Sequence, residues 1–307
     1  MNRLPFVTTR MTTEVMAAVD FMCQFDPVQE ATLLPILGPS RCGKSEICKQ
    51  IAATYPDQVV GRQTIRPVIY IELITGTTLP SMIAQILEVL GDPDPFYGNH
   101  TARFLRLAKA LREQKVMFLV IDEIHHLIDA DTLKIAYKAA ECLKNILNLK
   151  TCHVIIAGQT HAERILDTNT QIELRAIKRI LPRHHDWRTE ADRKEWRAFL
   201  HVIEQGLGLP VPSRLGATDT AFRIHYFASG RLGRAVRLIE IAEKFRLKTK
   251  PLRAALDNEI LAQAADLLGL GRSGGKAINP FLSLPPEAAE PAPIYELVKN
   301  PNARAAE

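Results

Sequence analysis

The sequence predicts an α/β fold: a parallel five-stranded sheet flanked by helices, followed by a small helical domain. Three observations carry this. Short apolar runs alternate with helix-period stretches between residues 31 and 187. Strand-type runs then cease, while helical periodicity continues to residue 268. The 307 residues suffice for one α/β domain and a smaller second one.

Taken in order, residues 1–30 hold an amphipathic helix at 13–25. The strand-type runs are 33–37 (LLPIL), 68–73 (VIYIEL), 116–121 (VMFLVI), 153–157 (HVIIA) and 177–181 (IKRIL). Helix-type stretches at 44–55, 79–90, 101–114 and 132–149 lie between them. In the helical domain, 188–268, Thr189 and Asp192 have capping-box spacing at a helix start. Helices follow at 219–228, 231–246 and 251–268, with Pro251 near the last start. Residues 269–307 are rich in Gly, Pro and Ala and lack periodicity, which predicts a flexible tail with a short docking segment at 294–299 as the alternative.

Composition excludes several classes. Apolar residues make up 47% and charged residues 24%, as in ordinary globular domains. No apolar run approaches the ~20 residues of a membrane span. The start has no apolar core behind Arg3, so the expected location is the cytoplasm, with no membrane partner. The five cysteines include no C-x-x-C pair, so neither a disulfide framework nor a zinc site is indicated.

The chemistry concentrates at the strand ends. Gly38, Pro39, Ser40, Arg41, Cys42, Gly43, Lys44 and Ser45 fit G-x-x-x-x-G-K-[ST], between an apolar run and a helix whose first turn carries Glu46. The glycines let backbone amides curl around phosphates, Lys44 adds positive charge, and Ser45 offers a hydroxyl to Mg²⁺. The following helix points its positive end at the anion. The nucleotide expected is ATP. Pro35 lies inside the preceding strand and lacks a ladder donor, so a bulge or local break is needed there.

A second apolar strand ends in Asp122 and Glu123, the Walker B pattern. Asp122 is expected to hold the Mg²⁺ shell and Glu123 to polarise the attacking water. After the fourth strand run, Gln159, rather than Thr160, is the candidate sensor of the terminal phosphate. In P-loop ATPases that form rings or filaments, an arginine ahead of the fifth strand can reach a neighbour's nucleotide. Arg175 is the candidate and Arg179 the reserve. Arg231, Arg234 and Arg237 share a helix face, and one of the first two is a candidate phosphate contact. His125 and His126, as helix neighbours, are expected to point apart and not to share a metal.

These residues resemble the AAA+ ATPases and, within them, the TnsC/TniB transposition regulators of bacterial transposons, CRISPR-associated ones included. The resemblance is carried by LLPILGPSRCGKS, FLVIDEIHHLI, IAGQTHAERIL, QIELR ahead of ILPRHHDW, and SGRLGRAVRLI. It implies an AAA+ core at 31–187 with a helical lid at 188–268. It places Lys44, Ser45, Asp122 and Glu123 in the nucleotide site and Arg175 at a subunit interface. Ala176 stands where the family often has an aromatic residue, and Arg234 where it often has an acid.

The resemblance further implies head-to-tail self-assembly on double-stranded DNA, recruitment of a transposase and a target-selector protein, and disassembly on hydrolysis. Arg103, Arg106 and Lys109, three residues apart, are the expected DNA-facing set. A second basic stretch comprises Lys178, Arg179, Arg183, His184, His185 and Arg188. Two other readings share the motifs: a helicase loader or replication initiator, and a nucleotide-gated switch that never touches DNA.

Overall fold

Four parallel strands, three of them fully buried, and the helices that cover both their faces make up the larger part of the computed structural model, which describes residues 4–61, 63–128, 133–269 and 278–283. The chain divides into two compact units, Thr9–Arg183 and Met1–Thr8 with His184–Glu307.

The first unit runs α1 (Arg10–Met22), β1 (Leu33–Leu37), α2 (Lys44–Thr54), β2 (Gln58–Val60), β3 (Gln63–Ile65), β4 (Val68–Glu72), α3 (Leu79–Val89), α4 (His100–Glu113), β5 (Phe118–Asp122), α5 (Leu133–Asn148), β6 (His153–Gly158), α6 (Glu163–Asp167) and α7 (Thr170–Glu173). The sheet order is β1-β6-β5-β4, all parallel, and β2 and β3 form a separate exposed hairpin. The pleat sorts side chains by parity. Leu33, Leu37, Ile69, Leu119, Ile121 and Val154 face the core built by α3, α4 and α5. Leu34, Ile36, Phe118, Val120 and Ile155 face Val15, Val19 and Met22 of α1 and Ile47 and Ile51 of α2. With both faces covered, near-continuous apolar strands are required, which is why the runs were conspicuous.

The expected fifth strand is broken, so the sheet has four strands rather than five. Residues 175–180 run parallel to β1 but join it only at two isolated bridges, Leu33 with Ala176 and Ile36 with Ile180. The cause is Pro35. Leu33 N donates to Arg175 O (2.9 Å) and Leu37 N to Ile180 O (3.0 Å), so the missing donor of Pro35 falls between them on that edge. Ile177 N and Ile180 N donate to Leu33 O and Pro35 O, so three steps on one side match two on the other. That is a bulge.

The second unit contains α8 (Glu190–Leu207), α9 (Thr218–Ala228), α10 (Leu232–Arg246) and α11 (Asn258–Leu268). Thr189 caps α8 by accepting from Asp192 N. The core centres on Trp196, whose Nε1 donates to Ala221 O (3.1 Å). Leu4 and Val7 pack on this core, whereas α1 belongs to the first unit. Part of the expected tail packs as well: Asn279 donates to Ala262 O (3.0 Å) and Asp266 Oδ1 (2.8 Å), and Phe281 is buried. The segment 294–299 lies outside the described residues. Of the cysteines, Cys42, Cys48, Cys142 and Cys152 are buried and Cys23 is exposed. Among the described residues no helix is long and apolar enough to cross a membrane.

Candidate active site

The site lies where β1, β6, β5 and β4 end, the usual crevice of a parallel sheet. Register brings Leu37 level with Gly158 and Glu72 level with Asp122. Gly38 N donates to Gly158 O (3.1 Å), which ties the start of the loop to the end of β6. A Cβ on Gly38 would lie 2.5 Å from Pro182 O, so only glycine fits there. Gly43 closes the loop at φ 95°, a left-handed angle that glycine adopts without strain. Arg41 adopts φ 64° without that freedom.

No side chain caps α2, so amides of its first turn face outward with the dipole behind them. Ser45 and Glu46 lie on that turn, half-buried and exposed. Lys44 is 6% exposed, and its Nζ donates to Gly38 O (2.9 Å) and Pro39 O (2.7 Å). Burial pulls its pKa down, opposed by Cys42, Glu123 and Asp122. Both bonded partners are neutral carbonyls. An uncapped helix start, a curled glycine loop and a buried ammonium on neutral partners fit the phosphates of ATP.

Asp122 is fully buried at the end of β5. Its Oδ1 accepts from Glu123 N (2.8 Å) and its Oδ2 from the Tyr70 hydroxyl (3.2 Å). The same hydroxyl lies 3.2 Å from Glu72 Oε2. Burial and the two acids hold the Tyr70 phenol far above its ordinary range. Tyr70 and Glu72 were missed in the sequence because they reach Asp122 only through strand register. Ser45 and Asp122 are an oxygen pair of the kind Mg²⁺ takes.

Glu123 leaves the strand in a left-handed turn, φ 55°. Burial first, then Asp122, raises its pKa. A 3-10 turn, Ile124–Leu127, follows. His125 is 3% exposed, with Nδ1 3.1 Å from Glu123 Oε2 and Nε2 3.1 Å from Gln159 Nε2. The expectation that the adjacent histidines point apart fails. Their ring centroids lie 4.2 Å apart, because the segment is a 3-10 turn entered from a left-handed residue and not an α-helix. Glu123, His125 and His126 each place a ligand-capable atom within 4.8 Å of the others. Thr160 begins the turn after Gln159.

Lys44, Ser45, Asp122, Glu123 and Gln159 thus share one group of strand ends. Other expected residues have their own partners. Arg175 Nη2 donates to Asn148 Oδ1 (2.7 Å), and Arg179 pairs with Asp167 (3.0 Å) and Glu173 (2.8 Å). Arg106 binds Asp92 Oδ2 (2.7 Å) and the carbonyls of Asp94 and Tyr97 (both 3.0 Å). Arg103 Nε donates to Gly98 O (3.0 Å). Lys109, 74% exposed, lies 3.8 Å from Glu113. In the second unit, Arg234 donates to Gly269 O (3.1 Å) and lies over the Phe227 ring at 4.6 Å. Arg231 Nε is buried with no hydrogen-bond partner among the described residues.

The model of the bacterial TniB proteins matches residues 2–186, more than half the chain. The chain belongs to the TniB family. No curated protein matches it. Among solved structures, this TniB-family chain is similar to Cdc6p from Pyrobaculum aerophilum, at 15% identity and TM-score 0.63, over 89% of this chain and 70% of that one. It is similar to the Orc1 protein of Aeropyrum pernix, solved in complex with DNA, at 15% identity and TM-score 0.59, over 86% and 66%. The ORC2 protein of Aeropyrum pernix, solved with ADPNP and ADP, matches at 13% identity and TM-score 0.63, over 89% and 71%. The chain therefore spans just under two-thirds of the Orc1 protein's length. Its fold is the AAA+ fold.

Proposed function

We propose that this TniB-family ATPase binds duplex DNA without sequence preference in its ATP state and regulates DNA transposition. It assembles head-to-tail on target DNA and recruits a transposase and a target-selector protein. Hydrolysis dismantles the assembly. The family match carries the transposition reading. The shared strand-end site carries the ATP dependence.

The phosphate loop amides and Lys44 bind and orient the triphosphate. Ser45 and Asp122 hold Mg²⁺, which would offset negative charge on the phosphate oxygens. The Glu123 carboxylate orients a water for in-line attack and accepts its proton; general bases of this kind contribute ~10²–10⁴ in rate. Arg175 reaches the neighbouring subunit's nucleotide, exchanging its bond to Asn148 for one to phosphate. Of the two arginines of the helical unit, Arg231 keeps an unspent buried donor for an anion. For the DNA, Lys109 is the most available of the expected set. Arg103 and Arg106 also serve the 91–98 loop.

The deciding experiment is fluorescence anisotropy of a labelled random-sequence duplex. It compares ATP, a non-hydrolysable analogue, no nucleotide, and Lys44→Ala. Binding only with ATP or the analogue, weakening as salt rises and absent in Lys44→Ala, is expected. Equal binding in all four conditions removes the nucleotide gate, and no binding in any removes the DNA role of the isolated protein.

A further inference from the structure

We propose that His125 is a positioning residue that couples Gln159 to Glu123, so that a phosphate read at Gln159 sets the orientation of the hydrolytic carboxylate. This rests on the reading of Glu123 as that carboxylate.

β5 and β6 are neighbours in the sheet, and the residues just past their ends are Glu123 and Gln159. His125 bridges them. Its two ring nitrogens lie 3.1 Å from Glu123 Oε2 and 3.1 Å from Gln159 Nε2. The donors can be assigned by inventory. The Gln159 amide nitrogen only donates, so Nε2 accepts and the proton sits on Nδ1, which faces Glu123 Oε2 at ion-pair distance without closing a hydrogen bond. Nε2 of the neutral ring then accepts, and the Gln159 amide nitrogen donates to it. That nitrogen carries two hydrogens. One is spent on His125, and the second suits a terminal phosphate oxygen. Gln159 thus holds the ring by a hydrogen bond, and the ring meets the Glu123 carboxylate by close approach at 3.1 Å.

The packing restricts the ring. His126 lies against it at 4.2 Å between centroids, and His161 meets it edge-on at 5.4 Å. The turn carrying His125 is seated on the end of β6: a Cβ on Gly158 would lie 2.8 Å from Ile124 Cγ2 and 3.3 Å from His125 N. Glu123 is half-buried and leaves the strand in a left-handed turn, with its carboxylate against the His125 ring.

The test is a double-mutant cycle on ATP hydrolysis, with mant-ATP binding measured on every variant. Asparagine at 125 places an amide nitrogen where Nδ1 sits and reaches Glu123 but not Gln159. Gln159→Ala and His125→Asn are each expected to lower kcat, by up to about 10²-fold, the scale of a misplaced reacting group. KM and mant-ATP affinity stay within about two-fold. The double variant is expected to be no slower than the slower single one. His125→Ala, which loses both contacts, is expected to fall below His125→Asn. Multiplicative losses in the double variant overturn the coupling, and so does a loss confined to KM. Should His125→Ala fail to fold, the Asn and Gln159 variants complete the cycle. Glu123→Gln separates the two readings. Retained hydrolysis there removes the hydrolytic role of Glu123 itself. Abolished hydrolysis with a multiplicative cycle removes only the coupling.

Discussion

Lys44, Asp122 and Glu123 were legible because each sits at a fixed spacing from an apolar run, and that spacing has a mechanical reason. A loop that wraps phosphates needs a strand before it and a helix after it. Tyr70 had no such signal, since its link to Asp122 is made across two strands 52 positions apart in the chain. His125 was visible but misread, because its direction was argued from an α-helix that does not form. Glu123 has a testable titration. Burial and Asp122 raise its pKa, and it accepts a proton only when ionised. Hydrolysis should therefore be full above the raised value and fall as pH drops through it, at a higher pH than the ~4.3 of an ordinary glutamate. A pH–kcat profile checks this; an acid limb at or below the ordinary value would show that another group limits the rate.

At the scale of the element, the periodic helices and β1 lie within a few residues of their expected ends, except the last helix, which was expected from Pro251 and starts only at Asn258, behind the Asp257 cap. Burial of whole faces forces the pattern that was read. The β2–β3 hairpin was missed because each of its strands has three residues and almost none of their surface is buried. The fifth strand was over-read: IKRIL has strand composition, but β1 offers it an edge with one donor missing at Pro35. Helix α4 shows the same limit of pattern reading. Its arginines looked like a phosphate-facing row, yet Arg106 holds a loop through Asp92, which is only 9% exposed. Arg106→Ala should destabilise the α/β unit by about 1–3 kcal/mol, because it leaves that carboxylate without its cation. Lys109→Ala, removing an exposed pair, should change stability by less than about 1 kcal/mol. Urea denaturation of the two variants checks the contrast, and equal effects would contradict it.

For the whole molecule, each unit carries a buried histidine that folding keeps neutral. Burial lowers the pKa of His153, whose Nδ1 accepts from Thr32 N (3.2 Å). Burial likewise lowers that of His225, whose Nε2 donates to His185 O (2.7 Å). The unfolded chain takes up these protons first. The stability they contribute is therefore complete above the unfolded value, ~6.5, and is lost as pH falls from there through the lowered folded values. Denaturation midpoints should decline across that window, and His225→Asn should flatten part of the decline. An unchanged slope would mean that other groups govern acid stability. Assembly gives a further expectation. Arg175→Ala should bind ATP normally but hydrolyse it far more slowly, since such arginines contribute ~10³–10⁵ in the best cases. Mixing it with Lys44→Ala should restore turnover, because one variant keeps the site and the other keeps the arginine. Failure of the mixture to recover activity would remove Arg175 from the subunit interface.

The distribution of thiols gives the chain a ready-made attachment point for a dye. A maleimide reacts with thiolate, and burial suppresses that form at three positions, with Cys142 and Cys152 pushed up to about 12 and Cys48 well above its ordinary value, while Cys42 is itself buried. Cys23 alone is exposed. It closes α1, on the opposite side of the sheet from α3, α4 and α5. The unaltered protein can therefore take one fluorophore at a defined position, and growth of an assembly on DNA can be watched without first removing a single cysteine.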